Sequence, residues 1–305
     1  MSAAHTVRAG RHTVEVRRPE KVLFAEDGIT KADLAAYYRT VARRMLPHLR
    51  GRPLMLERNP DGIGDPGFMQ KDIPEHFPDW VHRAELPKEG GSVTYVVCED
   101  TATLVLLADQ GCITLHRWLS RADRPDHPDR LVFDLDPPDD DFARVREAAR
   151  WLHELLDELE LPSQLMTTGS RGLHVIVPLD RRAPFADVRA FATDVATVLA
   201  DRHPDRLTTE ARKKARAGRL YLDIQRNAYG QTAVTPYAVR ARPGAPVAAP
   251  LAWADLEDPE LHARRWGLAD ASRLLEDDPW NPAPRPRSLT AAADRLRRSG
   301  LRARP

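Results

Sequence analysis

The segment L-V-F-D-L-D-P at residues 131–137 leaves little conformational choice. Alternate side chains of an extended strand share a face. Leu131, Phe133 and Leu135 then line a core face, and Asp134 and Asp136 stand together on the other. Pro137 and Pro138 end the run, because proline supplies no ladder donor. The paired carboxylates therefore sit at the rim of a strand. L-Y-L-D-I-Q at 220–225 repeats the pattern, with Leu220, Leu222 and Ile224 on one face and Tyr221, Asp223 and Gln225 on the other.

Helices alternate with such runs. Thr30 and Asp33 form a T-x-x-D cap, and Leu34, Tyr37, Tyr38, Val41 and Met45 follow at helical spacing. Apolar stripes predict two further helices, over 142–159 and 184–200. Strand-like runs are expected at 93–97, 131–136, 173–177, 220–224 and 232–239. The alternation predicts a mixed α/β architecture. Residues 281–305 are rich in proline and arginine and read as a flexible or accessory tail, with a short helix around 291–298, after a main domain of residues 1–280.

Composition narrows the class without naming a partner. Forty-six basic and 45 acidic residues leave a net charge of +1, so a polyanion partner has to be argued from where the charges lie. The two cysteines, Cys98 and Cys112, form no metal-binding pattern and fit buried thiols in a reducing cytoplasm. The first twelve residues lack the apolar core of a signal peptide, and no run reaches the length of a membrane span.

Two adjacent carboxylates repel unless a cation or protons neutralise them, and hard oxygen ligands suit magnesium or manganese. With Asp223 as a third, the set is of the kind that holds two ions roughly 3.5–4 Å apart for in-line phosphoryl transfer. A D-x-D at a solvated strand end is the plainer reading of the pair alone. Between the acidic strands, T-T-G-S-R-G-L-H offers Thr167, Thr168 and Ser170 hydroxyls, flexible glycines and Arg171, which suit a phosphate cradle. A simple turn entering a strand fits equally. His174 emerges on the polar face of that strand. Arg212, Lys213, Lys214, Arg216 and Arg219 precede Asp223 and suit a polyanion, or a solvated loop.

The combination resembles the polymerase domain of bacterial DNA ligase D, a branch of the archaeo-eukaryotic primase superfamily. The resemblance runs from about Val14 to Trp253. It is carried by P-E-K-V-L-F, I-T-K-A-D-L-A-A-Y-Y, G-R-P-L-M-L-E-R-N-P-D-G, F-M-Q-K, F-D-L-D-P, G-S-R-G-L-H-V and the long block Y-L-D-I-Q-R-N-A-Y-G-Q-T-A-V-T-P-Y-A-V-R-A-R-P-G-A-P-V.

The resemblance implies a primase-polymerase catalytic core, with a mixed, recognition-motif-like sheet packed against an α/β lobe. It implies Asp134, Asp136 and Asp223 as ligands of two manganese or magnesium ions. His116, Thr168, Ser170, Arg171, His174, Arg226 and Arg240 would bind the incoming nucleotide. Lys21 and Lys31 would grip a DNA 5′-phosphate, and Phe68 would stack on the template. The implied substrates are ribo- and deoxyribonucleoside triphosphates, and the implied partners are DNA with a 5′-phosphorylated gap or broken end, Ku and a separate ATP-dependent ligase. The setting would be end joining on the nucleoid. Strand initiation without a primer, a metal-dependent nuclease and a non-catalytic end-bridging module are the competing readings. Arg171 and Thr168 stand where the family usually has Lys and Ser, and Met69 replaces one of two paired aromatics. No ligase nucleotidyltransferase lysine motif follows, so the chain is expected to seal no nick alone, as a stand-alone polymerase rather than an excised domain.

Overall fold

The computed structural model describes residues 5–139 and 141–298. The chain divides into two units. The first comprises Met1–Asp123, Thr232–Ala249 and Arg264–Asp277, and the second Arg124–Gln231, Pro250–Ala263 and Asp278–Pro305.

In the first unit, two hairpins, β1 (His5–Ala9) with β2 (His12–Val16) and β3 (Val22–Phe24) with β4 (Ile29–Thr30), lead into helix α1 (Lys31–Met45). The expected capping box is present, with the Thr30 hydroxyl accepting from the Asp33 amide and Asp33 accepting from the Thr30 amide. The five apolar residues of the α1 stripe are all buried. The main sheet holds β5 (Leu54–Arg58), β6 (Phe68–Gln70), β9 (Cys112–Trp118) and β15 (Thr232–Val234), in the antiparallel order β15-β9-β5-β6. A third hairpin joins β7 (Arg83–Lys88) and β8 (Gly91–Val96). Helix α2 (Thr101–Asp109), capped by Asp100, packs on α1 and on β2, and a short helix α5 (Ala271–Glu276) also contacts α1.

In the second unit, β10 (Arg130–Asp136), β11 (Gln164–Thr167), β12 (Leu173–Pro178), β13 (Leu207–Thr208), β14 (Leu220–Asp223) and β16 (Pro250–Leu251) form a sheet of order β13-β14-β10-β12-β11-β16. Only the β13–β14 pairing is parallel, so the sheet is mixed as expected. Helices α3 (Phe142–Glu158) and α4 (Phe185–Arg202) pack on β10 and on each other. Their apolar stripes cover the face that Leu131, Phe133 and Leu135 supply, and all three are fully buried.

The structure departs from the expectations at three places. The strand expected over 232–239 stops at Val234, because Pro236 has no donor and Tyr237 is left-handed at φ 68°. Helix α2 was not anticipated. Residues 281–298 are not set apart as a tail: Arg287 bridges to Leu179, and helix α6 (Leu289–Arg298) packs on α4. Leu289, Ala292 and Leu296 recur at helical spacing and are buried, which is what holds the segment. Its last seven residues lie outside the described ones. Among the described residues no helix is long and apolar enough to cross a membrane.

Candidate active site

Register places the three aspartates. Asp134 on β10 lies directly opposite Asp223 on β14, and Asp136 opposite Tyr221. With side chains alternating along each strand, all three carboxylates rise from one face at one end of the second unit's sheet. Asp134 is almost wholly buried, at 6% exposure.

Local structure fixes each of them. Asp223 closes its own strand, its Oδ1 accepting the Gln225 amide at 2.7 Å and starting the single 3-10 turn at Gln225–Asn227. That turn is hooked to β10 by Asn227, whose amide accepts from Val132 N at 2.8 Å and donates to Val132 O at 2.7 Å. Beyond the end of β14 these two bonds replace the ladder that β10 would otherwise lack. The hook brings Arg226 Nε to 3.5 Å from Asp134 Oδ2, and His174 Nε2 on β12 lies 3.5 Å from the same oxygen. The other ring nitrogen of His174 is buried without a hydrogen-bond partner.

The carboxyls are electrostatically unequal. Burial pushes Asp134 up, but His174 and Arg226 outweigh it and hold the group below the usual range. Asp136 is pushed up, first by burial and then by the charges of Asp134 and Asp223, with Arg171 and Arg216 opposing. Asp136 thus registers the crowding of negative charge that a bound cation would relieve. Among the described residues no three His, Cys, Asp or Glu side chains close up into a metal-binding group. What fits a hard divalent ion is the donor chemistry and its placement on one face.

The T-T-G-S-R-G loop connects β11 to β12 beside this face. Thr168 braces it: its hydroxyl donates to Gly172 O at 3.0 Å and accepts from the Ser170 and Gly172 amides. A side chain at Gly172 would meet Leu135 O at 2.0 Å, so only glycine lets the loop approach the end of β10. Arg171 is exposed and donates to Pro137 O at 3.0 Å. Thr168 is therefore first a brace, whereas Ser170 and Arg171 lie at the loop's outer turn. Nearby, the Arg216 guanidinium stacks over Tyr221 at 4.1 Å, and Arg212, Lys213 and Lys214 are exposed.

The remaining expected residues belong to the first unit. His116 on β9 lies 3.6 Å from Glu57 on β5. Burial pushes Glu57 up, but His116, Thr114 and Arg240 outweigh it and hold it below the usual range, so Arg240 shares this cluster. Sequence reading passed over Glu57, although L-M-L-E-R carries the same alternation that marked the aspartates. Phe68, on the edge strand β6, is exposed beneath the Arg58 guanidinium, and Met69 is exposed beside it. Lys21 and Lys31 are joined through the backbone, Lys31 N donating to Lys21 O. Their side chains part: the Lys21 ammonium pairs with Asp61, and that of Lys31 is buried against Asp109.

Residues 30–280 match the family described as LigD, primase-polymerase domain. The chain belongs to this family. It is 34% identical over 262 residues to the multifunctional non-homologous end joining DNA repair protein LigD of Mycobacterium tuberculosis, covering 83% of this chain and 34% of that protein. It is 32% identical over 299 residues to the multifunctional non-homologous end joining protein LigD of Pseudomonas aeruginosa, covering 96% and 36%. The chain thus spans about a third of the length of these relatives. A solved structure, the polymerase domain from Mycobacterium tuberculosis ligase D in complex with DNA, matches with a TM-score of 0.82 and 32% identity, covering 87% of this chain and 95% of that one. The expected family and mixed α/β core are therefore borne out. Membership of the LigD primase-polymerase family points to a nucleotidyltransferase type of enzyme.

Proposed function

We propose that this chain is a DNA-templated polymerase that adds ribo- or deoxyribonucleotides to a primer, filling gaps and extending ends during non-homologous end joining. The observation that carries the reading is the facing pair Asp134 and Asp223 with Asp136 beside them, in a chain of the LigD primase-polymerase family. The three aspartates would hold two manganese or magnesium ions. Bound ions would neutralise the triphosphate and make the primer hydroxyl a better nucleophile.

The chain's own residues set up the rest. Arg226 and His174 hold Asp134 ionised and fix its direction. Ser170 and Arg171 at the loop's turn suit triphosphate oxygens, with Thr168 keeping the loop in shape. His116 and Arg240, grouped around Glu57, are the first unit's candidates for nucleotide contacts. Phe68, exposed on its edge strand, would stack on a template base. Lys31, with Lys21 beside it in the backbone, marks the 5′-phosphate region. Ku and a separate ATP-dependent ligase would be the partners, in the cytoplasm and on the nucleoid.

Primer extension on a gapped duplex with a downstream 5′-phosphate, nucleoside triphosphates and manganese tests this. Template-directed lengthening that disappears in Asp134→Ala/Asp136→Ala is expected. No lengthening by the native chain sinks the reading, and shortening of the labelled strand would instead indicate a nuclease.

A further inference from the structure

A cavity of about 730 Å³ lies in the first unit, where the β1–β2 turn, the loop before β7 and the start of α2 meet. Arg11, His12, Arg50, Asp79, Trp80 and His82 are among its lining residues. Its volume falls in the range of small-molecule sites. The cavity is at the N-terminal end of α2, which Asp100 caps, whereas Asp109 at the other end pairs with Lys31. The nine residues of α2 span about 13 Å. The cavity is therefore separate from the region that Lys31 marks.

Its floor is aromatic. His12 opens β2 opposite Ala9, and Gly10 between them takes φ 65°, which suits glycine in a tight turn. The His12 ring stacks on Trp80, with centroids 4.4 Å apart and 17° between the planes. The Trp80 loop is braced by its neighbours. Phe77 and Val81 are buried, and Arg83 donates to their carbonyls at 3.0 and 2.8 Å. Both stacked rings are half-buried, so the pair is held in place and still open to a guest. Any base can join such a stack, because every base has a π face.

The polar groups around this floor divide into engaged and free. Glu99 accepts the Gly51 amide at 2.7 Å, and Asp100 accepts the Thr103 amide and hydroxyl at 2.8 and 2.9 Å. The positive end of α2 further offsets the Asp100 charge. Arg50 gives one N–H to Glu99 O at 3.4 Å, and a guanidinium has five. Among the described residues, the Arg11 guanidinium, the Asp79 carboxylate and the His82 ring have no hydrogen-bond or ion-pair partner. Two guanidinium groups and one carboxylate thus remain around an aromatic floor. A nucleotide needs that division. Its base takes a π face and an acceptor for its N–H groups, and its phosphate takes forked donors. A simple anion would leave the floor unused, and an apolar guest would leave the guanidinium groups unsatisfied.

We propose that this cavity binds a nucleotide unit, with its base stacked on the His12–Trp80 pair, base N–H groups on Asp79, and its phosphate on Arg11 and Arg50. The unit is either a free nucleotide or an unpaired residue of a single strand. Neither needs the three aspartates, so the inference stands apart from the polymerase reading.

The test is binding to the full chain carrying Asp134→Ala/Asp136→Ala, with a chelator present, so that the site of the aspartates is disabled. The probes are guanosine monophosphate, followed by calorimetry, and a short labelled DNA single strand, followed by fluorescence anisotropy. Binding of both identifies a free nucleotide as sufficient, and binding of the strand alone identifies the strand as the source. Arg11→Gln should weaken the probe that binds by roughly tenfold, the size of one lost charge-assisted contact. Trp80→Ala should weaken it by a similar factor and Trp80→Phe should restore most of it, since stacking is the interaction removed. In the chain with its aspartates intact, Arg11→Gln should leave primer extension unchanged. Photocrosslinking with 8-azidoguanosine monophosphate and with a bromouracil strand should label the peptide that holds His12 or Trp80. Should Trp80→Ala not fold, Arg11→Gln on the exposed turn and the crosslinked peptide decide. Binding of neither probe overturns the proposal, as does affinity indifferent to Arg11→Gln. Weaker binding in Arg11→Gln with the label elsewhere would mean general charge attraction, and that also overturns it.

Discussion

Asp134 and Asp223 face each other across adjacent antiparallel strands, and their charges push the Asp136 carboxyl up on top of the effect of burial. A cation bound among them would remove that repulsion. Asp134→Asn or Asp223→Asn should therefore lower manganese-supported extension by roughly 100-fold, the scale of losing one preorganised electrostatic contact. Chelation should abolish extension and added manganese should restore it. Full extension after exhaustive chelation would remove the metal from the mechanism.

Gly172 lies against the end of β10, where a Cβ would come within 2.0 Å of Leu135 O. The obstacle is backbone, so either the loop or the strand must move. Gly172→Ala should cost about 1–3 kcal/mol, as overpacking does, measured as a shift of the urea midpoint. It should also weaken nucleotide binding, because the loop carries Ser170 and Arg171. An unchanged midpoint would mean the loop can slide without loss.

The aspartates were legible because strand alternation is a local rule. L-V-F-D-L-D and L-Y-L-D each declare a core face, and register then had only to bring two declared faces together. The α1 cap was legible for the same reason, since Thr30 and Asp33 are three residues apart. Helix α2 was not, because T-A-T-L-V-L-L-A-D is apolar on nearly every side and carries no period. Arg17 and Asp109 are 92 residues apart, and their pairing depends on how the first hairpins and α2 pack. Nothing in either local sequence announces it. The separation of the Lys21 and Lys31 side chains was likewise hidden, since it turns on Asp61 and Asp109 as competing partners.

Asn227 is fully buried, and its side chain both accepts from and donates to Val132. Asn227→Ala would leave two buried backbone groups unpaired, at roughly 1–3 kcal/mol for each. We expect a clear loss of stability in urea titration, and slower extension, because the turn that carries Arg226 would come loose. Stability equal to the native chain would show that the hook is redundant.

Cys98 and Cys112 are free and fully buried, and burial pushes both thiols up, Cys112 to about 12. Thiolate is the reactive form, so a raised value means slow reaction. At about pH 8 the folded chain should resist a thiol-specific disulfide reagent, and both cysteines should react at once in denaturant. Rapid labelling of the native chain at that pH would contradict this burial.

Glu57 links the first unit's candidate nucleotide cluster to stability. Burial acts to raise its carboxyl above the ordinary 4.5, but His116, Thr114 and Arg240 together bring it below. A carboxyl depressed on folding contributes stability above its unfolded value, and the contribution is lost as pH falls through the folded value. The stability advantage of the native chain over Glu57→Gln should hold steady from neutrality to about pH 5 and shrink as pH falls further. Urea titrations across that range measure it. An advantage that grows on acidification would require Glu57 to be raised on folding, and would mean that burial outweighs His116, Thr114 and Arg240.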